Sequence, residues 1–140
     1  MNKSMGKKDI FVVGAILVQD GEILCCQRGP GRALANLWEF PGGKIETGEK
    51  PVEALQRELS EELKIQVDII EPEFVTTAYE YDFGIVHLTT FICHLKKGKP
   101  ELTEHIQLKW LKPTQLSELE WAPADLPTVD KLITEGVGND

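Results

Sequence analysis

Residues 42–65 constrain this chain more than any other stretch, because they set a turn-forming Gly42-Gly43 pair against a helix crowded with acids. At ~100° per residue, Val52, Leu55, Leu59 and Leu63 fall on one stripe, the i, i+3, i+4 pattern of a buried helix face. Glu58, Glu61 and Glu62 are related by i+3 and i+4, so their carboxylates converge on one flank of that stripe. Like charges at this spacing cost a helix roughly 0.2–0.5 kcal/mol per pair. Glu62 lies nearest the apolar stripe, where partial desolvation raises the cost of ionisation. A cation should compensate, and three clustered carboxylates suit Mg²⁺ or Mn²⁺, hard ions that prefer oxygen ligands. A solvated acidic face is the plain alternative for an isolated Glu-x-x-Glu-Glu. The glycines argue against it. Gly42-Gly43, directly after Trp38-Glu39-Phe40-Pro41, marks a sharp turn with close backbone approach, and Gly48 lets the loop double back before the helix.

A chain of 140 residues has room for one domain with a proper core. Its net charge of −8 argues against a nucleic-acid-binding surface. An acidic protein still binds a polyphosphate when bound cations reverse the local sign, which fits the carboxylate cluster. Cys25, Cys26 and Cys93 lack metal-ligand spacing and read as reduced, small apolar residues of a cytoplasmic protein. Adjacent in a strand, Cys25 and Cys26 point to opposite faces. Residues 1–8 read as a polar, flexible tail. The apolar run 10–18 after Lys3, Lys7 and Lys8 superficially suggests a signal peptide, but Gln19-Asp20-Gly21-Glu22 follows it, which is turn chemistry and not a cleavage site. No run reaches the ~18 apolar residues of a membrane span, so no membrane partner is expected.

Along the chain, 9–19 reads as a strand buried on both faces, and Asp20-Gly21 turns it into a partner over 22–28. Gly-Pro-Gly within 29–36 makes that segment a loop, a candidate lid or substrate contact. A short strand over 37–40 delivers the glycine loop. Pro51 suits a first helical position, giving a helix from about 50 to 63. Strands follow over 65–70, 73–81 and 85–95, the last two joined through Asp82-Phe83-Gly84. A short strand over 107–111, a short helix over 113–119 opened by Thr114, a proline-framed loop 121–127 and a helix 127–135 complete the chain. Strands mixed with two or three helices give a single α/β or α+β domain.

The acidic box resembles the signature of the Nudix hydrolase family, Gly-x5-Glu-x7-Arg-Glu-U-x-Glu-Glu-x-Gly-U with U aliphatic. Gly43, Glu49, Arg57, Glu58, Leu59, Glu61, Glu62 and Ile65 occupy its fixed positions, and Lys64 replaces the last glycine. That glycine follows the helix, where a left-handed residue is convenient; a lysine there costs ~1 kcal/mol and recovers part of it through the helix dipole. The resemblance implies an α/β/α sandwich with a mixed, curved sheet, a domain over 9–136 and the box over 43–65. It also implies that Glu58, Glu61 and Glu62 coordinate divalent metal near the Gly42 carbonyl. Glu49 becomes a structural or metal-supporting acid, the alternative being a first-turn acid favoured by the helix dipole. Arg57 holds the acids by bidentate pairing.

Outside the box, the 37–44, 104–110 and 122–127 segments are similar to the MutT-like and CTP pyrophosphohydrolase group. By that resemblance Arg28 and Lys44 meet phosphates, and Glu104 binds metal or acts as base. Asp125 takes the place of an asparagine that reads oxidised guanine in MutT; an ionised aspartate only accepts hydrogen bonds and favours a donor-rich base edge. Phe40, Trp38 and Leu34 are candidates for lining a base pocket, with core packing as the alternative. His87, His94 and His105 are not spaced as a metal triad and read as structural or surface residues, His105 being the one expected nearest the site because Glu104 precedes it. The expected activity is Mg²⁺-dependent hydrolysis of a small-molecule (d)NTP to NMP and diphosphate by a monomer or homodimer, in nucleotide-pool sanitation, on 8-oxo-dGTP or on CTP or a modified dCTP. The alternatives are another X-linked diphosphate, such as ADP-ribose or a dinucleoside polyphosphate, and a catalytically silent nucleotide-sensing module.

Overall fold

The computed structural model describes residues 6–138, and of the expected flexible tail residues 1–5 lie outside it. Nine elements follow: β1 (Asp9–Gln19), β2 (Glu22–Arg28), β3 (Trp38–Glu39), β4 (Gly42–Lys44), α1 (Pro51–Leu63), β5 (Gln66–Tyr81), β6 (Gly84–Lys97), β7 (His105–Leu111) and α2 (Leu126–Glu135). A 3₁₀ turn over Pro113–Glu118 and another over Pro123–Asp125 precede α2. The strands form one mixed sheet in the order β3-β2-β1-β6-β5, with β4 on β1 and β7 on β2. β1 runs parallel to β6, from Asp9 opposite Ile85 to Val18 opposite His94; the other strand-to-strand pairings are antiparallel, and an isolated parallel bridge joins Trp38 to Trp121. Asp20 and Gly21 take positive φ (53° and 79°), the two-residue hairpin turn the sequence calls for.

Period-two alternation sorts the sheet into two cores. On one face Val13, Ala15, Leu17, Leu24 and Cys26 pack against Leu55, Leu59 and Leu63 of α1. On the other, Ile16, Val18, Ile23 and Cys25 meet Leu116, Trp121 and the α2 residues Val129 and Leu132. Cys25 and Cys26 thus serve opposite faces, as adjacent strand residues must. Helices on both faces make this the expected α/β/α sandwich.

Three expectations change. Residues 42–44 do not form a free loop but a short strand, with Gly43 opposite Val13 and Gly42 opposite Gly14. The two strands read over 65–70 and 73–81 are one, β5, kept continuous by a register shift between Ile70 and Val75. β7 begins at His105, two residues before the alternating pattern starts, because a register shift re-aims it. At the N-terminal end Lys7 is held, its Nζ donating to the Tyr81 carbonyl at 3.2 Å and lying 2.9 Å from Glu80 Oε2.

Candidate active site

A cleft of about 740 Å³ opens where β4, α1, the 29–36 loop, the β5–β6 turn and the 122–125 segment meet. Its acidic wall is built by glycines. A Cβ on Gly42 would collide with the Val13 carbonyl, and one on Gly43 with the Glu58 carboxylate. Gly42 therefore lets β4 lie tight on β1, while Gly43 leaves the space into which α1 presses Glu58. The helix is seated at its start by Pro51 and ends at Lys64, in the left-handed conformation (φ 62°, ψ 38°) that the family glycine would hold.

Arg57 ties loop to helix. Nε and Nη2 grip Glu49 at 2.7 and 3.0 Å, and Nη2 also donates to the Lys44 carbonyl at 3.0 Å. Nη1 reaches Glu58 at 3.1 Å and Glu61 at 3.3 Å. The bidentate partner is thus Glu49, with the helix acids as side contacts. Hydrogen bonds from Arg57 and the Glu46 amide bring the Glu49 carboxyl down to about 2. Arg57 braces the β4–α1 turn and has no nitrogen without a protein acceptor.

Glu62 is buried on the sheet side of α1, and its Oε1 has no hydrogen-bond partner. Burial, with the like charges of Glu39, Glu104 and Glu58, pushes its carboxyl up to about 8, against a weaker pull from the Gly42 amide. Burial also raises Glu58, which Arg57 opposes. Glu104 is brought to the cleft by its own segment: the Thr103 hydroxyl donates to the Glu62 carbonyl, and the Glu101 amide donates to the Leu63 carbonyl at 3.0 Å. Both bonds satisfy carbonyls left open at the end of α1. Glu58, Glu61, Glu62 and Glu104 all line the cleft.

Among the described residues no three acids or imidazoles converge closely enough to enclose an ion unaided. Arg57 holds Glu58 and Glu61 toward itself, and a bound cation would have to compete for them. The donor chemistry still fits a hard divalent ion: carboxylate oxygens, a raised Glu62 and an orphaned Oε1 facing like charges.

The cationic side combines Arg28, Arg32 and Lys44, all at the cleft. Arg28 is partly committed, donating from Nε to the Ala33 carbonyl and from Nη1 to Glu39 Oε1, both at 2.8 Å. Arg32 stands 3.9 Å from Glu104 across the opening. At the apolar end, Leu34 and Phe40 line the cleft, and Phe40 also stacks on Trp121 at 4.8 Å, so its core and pocket roles coincide. Trp38 belongs to the core on the α2 side. Asp125 is buried there and its Oδ1 accepts the Phe40 amide at 3.2 Å. Burial, reinforced by Glu39, raises its carboxyl well above the usual range. The neutral acid, which carries an O–H donor, therefore persists to higher pH than the ionised acceptor assumed from sequence.

Two residues the sequence reading passed over belong to this wall. Arg32 sits in a loop where nothing fixes a side chain's direction in advance. Glu39 did leave a signal: an acid between Trp38 and Phe40 must point to the opposite sheet face from both.

An acid-bearing helix is laid beside a glycine-seated strand, on a mixed sheet closed by a second helix. The NUDIX domain model matches residues 9–132, and the chain belongs to the Nudix family and is a Nudix hydrolase. Its relatives are MutT-like. It is 39% identical over 124 residues to the CTP pyrophosphohydrolase of Escherichia coli K12, covering 88% of this chain and 90% of that one. It is 34% identical to the 8-oxo-dGTP diphosphatase of the same organism, covering 90% and 97%. A solution structure of a MutT protein from methicillin-resistant Staphylococcus aureus superposes with a TM-score of 0.76 at 51% identity, over 93% and 99% of the two chains. No helix among the described residues is long and apolar enough to cross a membrane.

Proposed function

We propose that the chain hydrolyses nucleoside triphosphates to the monophosphate and diphosphate, as a Mg²⁺-dependent enzyme of nucleotide-pool sanitation. One observation carries the reading: a single cleft joins an acidic wall, a cationic side and an apolar end closed by Asp125. A triphosphate needs the first two, and a base fits the third. The names of the E. coli relatives support CTP and 8-oxo-dGTP as the first substrates to try.

Glu58, Glu61 and Glu62 would hold the divalent ion, with the Gly42 carbonyl beside them. Once bound, that ion would neutralise charge on the diphosphate oxygens and make the attacking water easier to deprotonate. Arg28 and Lys44 orient phosphate oxygens, and Arg32 joins them when it leaves Glu104. Glu104, exposed on a tethered segment, either joins those metal ligands or takes the proton from the attacking water. Leu34 and Phe40 exclude solvent around the base, and Asp125 reads its edge.

Incubation with 8-oxo-dGTP, dGTP, CTP, 5-methyl-dCTP and ADP-ribose in Mg²⁺, with product identification, tests this reading. Diphosphate released from a triphosphate is the expected result. Faster conversion of ADP-ribose to AMP and ribose phosphate would overturn it.

A further inference from the structure

Glu39 lines the cleft and His105 is buried behind it, and neither has a part in the chemistry so far. Glu39 receives Arg28 Nη1 on Oε1 at 2.8 Å and His105 Nε2 on Oε2 at 2.9 Å. Facing a carboxylate, that ring nitrogen must carry the proton. The His105 side chain is 1% exposed, and its Nδ1 has no hydrogen-bond partner, so the Glu39 carboxylate alone fixes the ring's polar edge. Burial pushes Glu39 up, but the bonds from His105 and Arg28 outweigh it, and the carboxyl ends below its usual range.

Sheet register explains how these residues meet. β3 sets Glu39 opposite Cys26, so Glu39 shares the α1-side face with Cys26 and Arg28. In β7 the pairing with β2 runs regularly until Gln27 opposite Gln107, then skips Ile106 and sets Arg28 opposite His105. A regular ladder would have turned Ile106 to that face and His105 away. Instead His105 is buried, and Ile106 is left 47% exposed. Bulges of this kind bend a strand and re-aim a side chain. Here the bulge inserts an imidazole under Glu39 and starts β7 immediately after Glu104.

We infer that the Glu39–His105 pair is a positioning device, which orients Arg28 toward phosphate and fixes the strand start from which Glu104 reaches the cleft. The inference rests on the function proposed above for the roles of Arg28 and Glu104. Glu39 and His105 act through those two residues and not on substrate. An ordinary buried pair would stabilise the fold and leave the arginine and the loop acid indifferent to it.

A double-mutant cycle separates the two cases. His105→Ala should lower kcat/KM about 10–100-fold, the usual range for loss of a supporting partner. The loss should shrink to about threefold or less in a Glu104→Gln background, and His105→Gln, which keeps an N–H donor, should recover most of it. An equal loss in both backgrounds, or failure of His105→Gln to rescue while it melts like wild type, overturns the inference. A second arm needs no substrate. Hydrogen exchange of the Arg28 Nη1–H that Glu39 receives, read by NMR, should accelerate about tenfold or more in Glu39→Gln. Unchanged exchange overturns the Arg28 half whatever the enzyme hydrolyses. If wild type turns over none of the triphosphates, the proposed function fails, and this second arm still decides the positioning claim.

Discussion

Arg57 and Glu49 form a fork-to-fork pair, Nε to Oε2 at 2.7 Å and Nη2 to Oε1 at 3.0 Å, across the turn that joins β4 to α1. Lysine has one ammonium and cannot reproduce two parallel bonds while also serving Glu58 and the Lys44 carbonyl. Arg57→Lys should therefore lower kcat/KM about 10–100-fold, with a smaller effect on melting temperature. Because the Glu49 carboxyl is held at about 2, below its unfolded value, its contribution is present above pH 4.5 and lost as pH falls toward 2. Denaturant titrations between pH 5 and pH 2 should show that slope in wild type and a shallower one in Glu49→Gln.

Glu62 carries the opposite sign. With a folded value of about 8 against an ordinary 4.5, the metal-free protein binds the extra proton and loses stability as pH rises through that window. Glu62→Gln should stabilise the chelator-treated protein at pH 8, by an amount on the order of a few kcal/mol, and do little at pH 4.5. Added Mg²⁺ should raise the melting temperature of wild type more at pH 8 than at pH 6, and that of Glu62→Gln much less. Equal shifts in both proteins would remove Glu62 from the ion's ligands.

How much of this was legible in the chain follows from what each signal depends on. The leucine stripe, the Asp20-Gly21 hairpin and the opposed Cys25 and Cys26 obey local periodicity, and all reappear in place. The β4 strand did not show, because two glycines carry no alternation and only the close approach of β1 makes them a strand. The same limit hid the bulge at Gln27 and Arg28: register is a relation between two distant segments. Clustered acids pointed to the site, but the partition of Arg57 between Glu49 and the helix acids is a three-dimensional fact.

Asp125 invites a specificity test. Asparagine keeps the acceptor for the Phe40 amide and removes the titration. Because burial raises the Asp125 carboxyl, its cost to stability appears as pH rises above the unfolded value near 3.8. Asp125→Asn should therefore stabilise the protein at pH 8 and hardly at all at pH 4. The ratio of kcat/KM for CTP and 8-oxo-dGTP should change about tenfold or more, since a group bonding the base edge discriminates strongly. An unchanged ratio would place the base elsewhere.

Lys64 holds φ 62° at the end of α1, a conformation that costs a side-chain-bearing residue roughly 1 kcal/mol. Lys64→Gly should raise stability by up to about that amount in a urea titration, less the entropy a glycine adds to the unfolded chain. Turnover should stay within about twofold, because Glu58 and Glu61 lie upstream of the cap and keep their contacts with Arg57. A hundredfold rise in kcat would mean that the cap controls the acids.

The parallel pairing of β1 with β6 carries a consequence for how the protein comes into being. Residues 9–18 find their parallel partners at 85–94, and such distant pairing is slow to form. A nascent chain that has emerged as far as β5 already contains every residue from Gly42 to Ile65, yet β1 lies open along the edge that β6 will cover. Until then the glycine seat rests on a strand supported from one side, and Glu104 has not been made. The order of synthesis thus delivers the glycine seat and the helix acids first, the strands that complete the sheet second and the loop acid last.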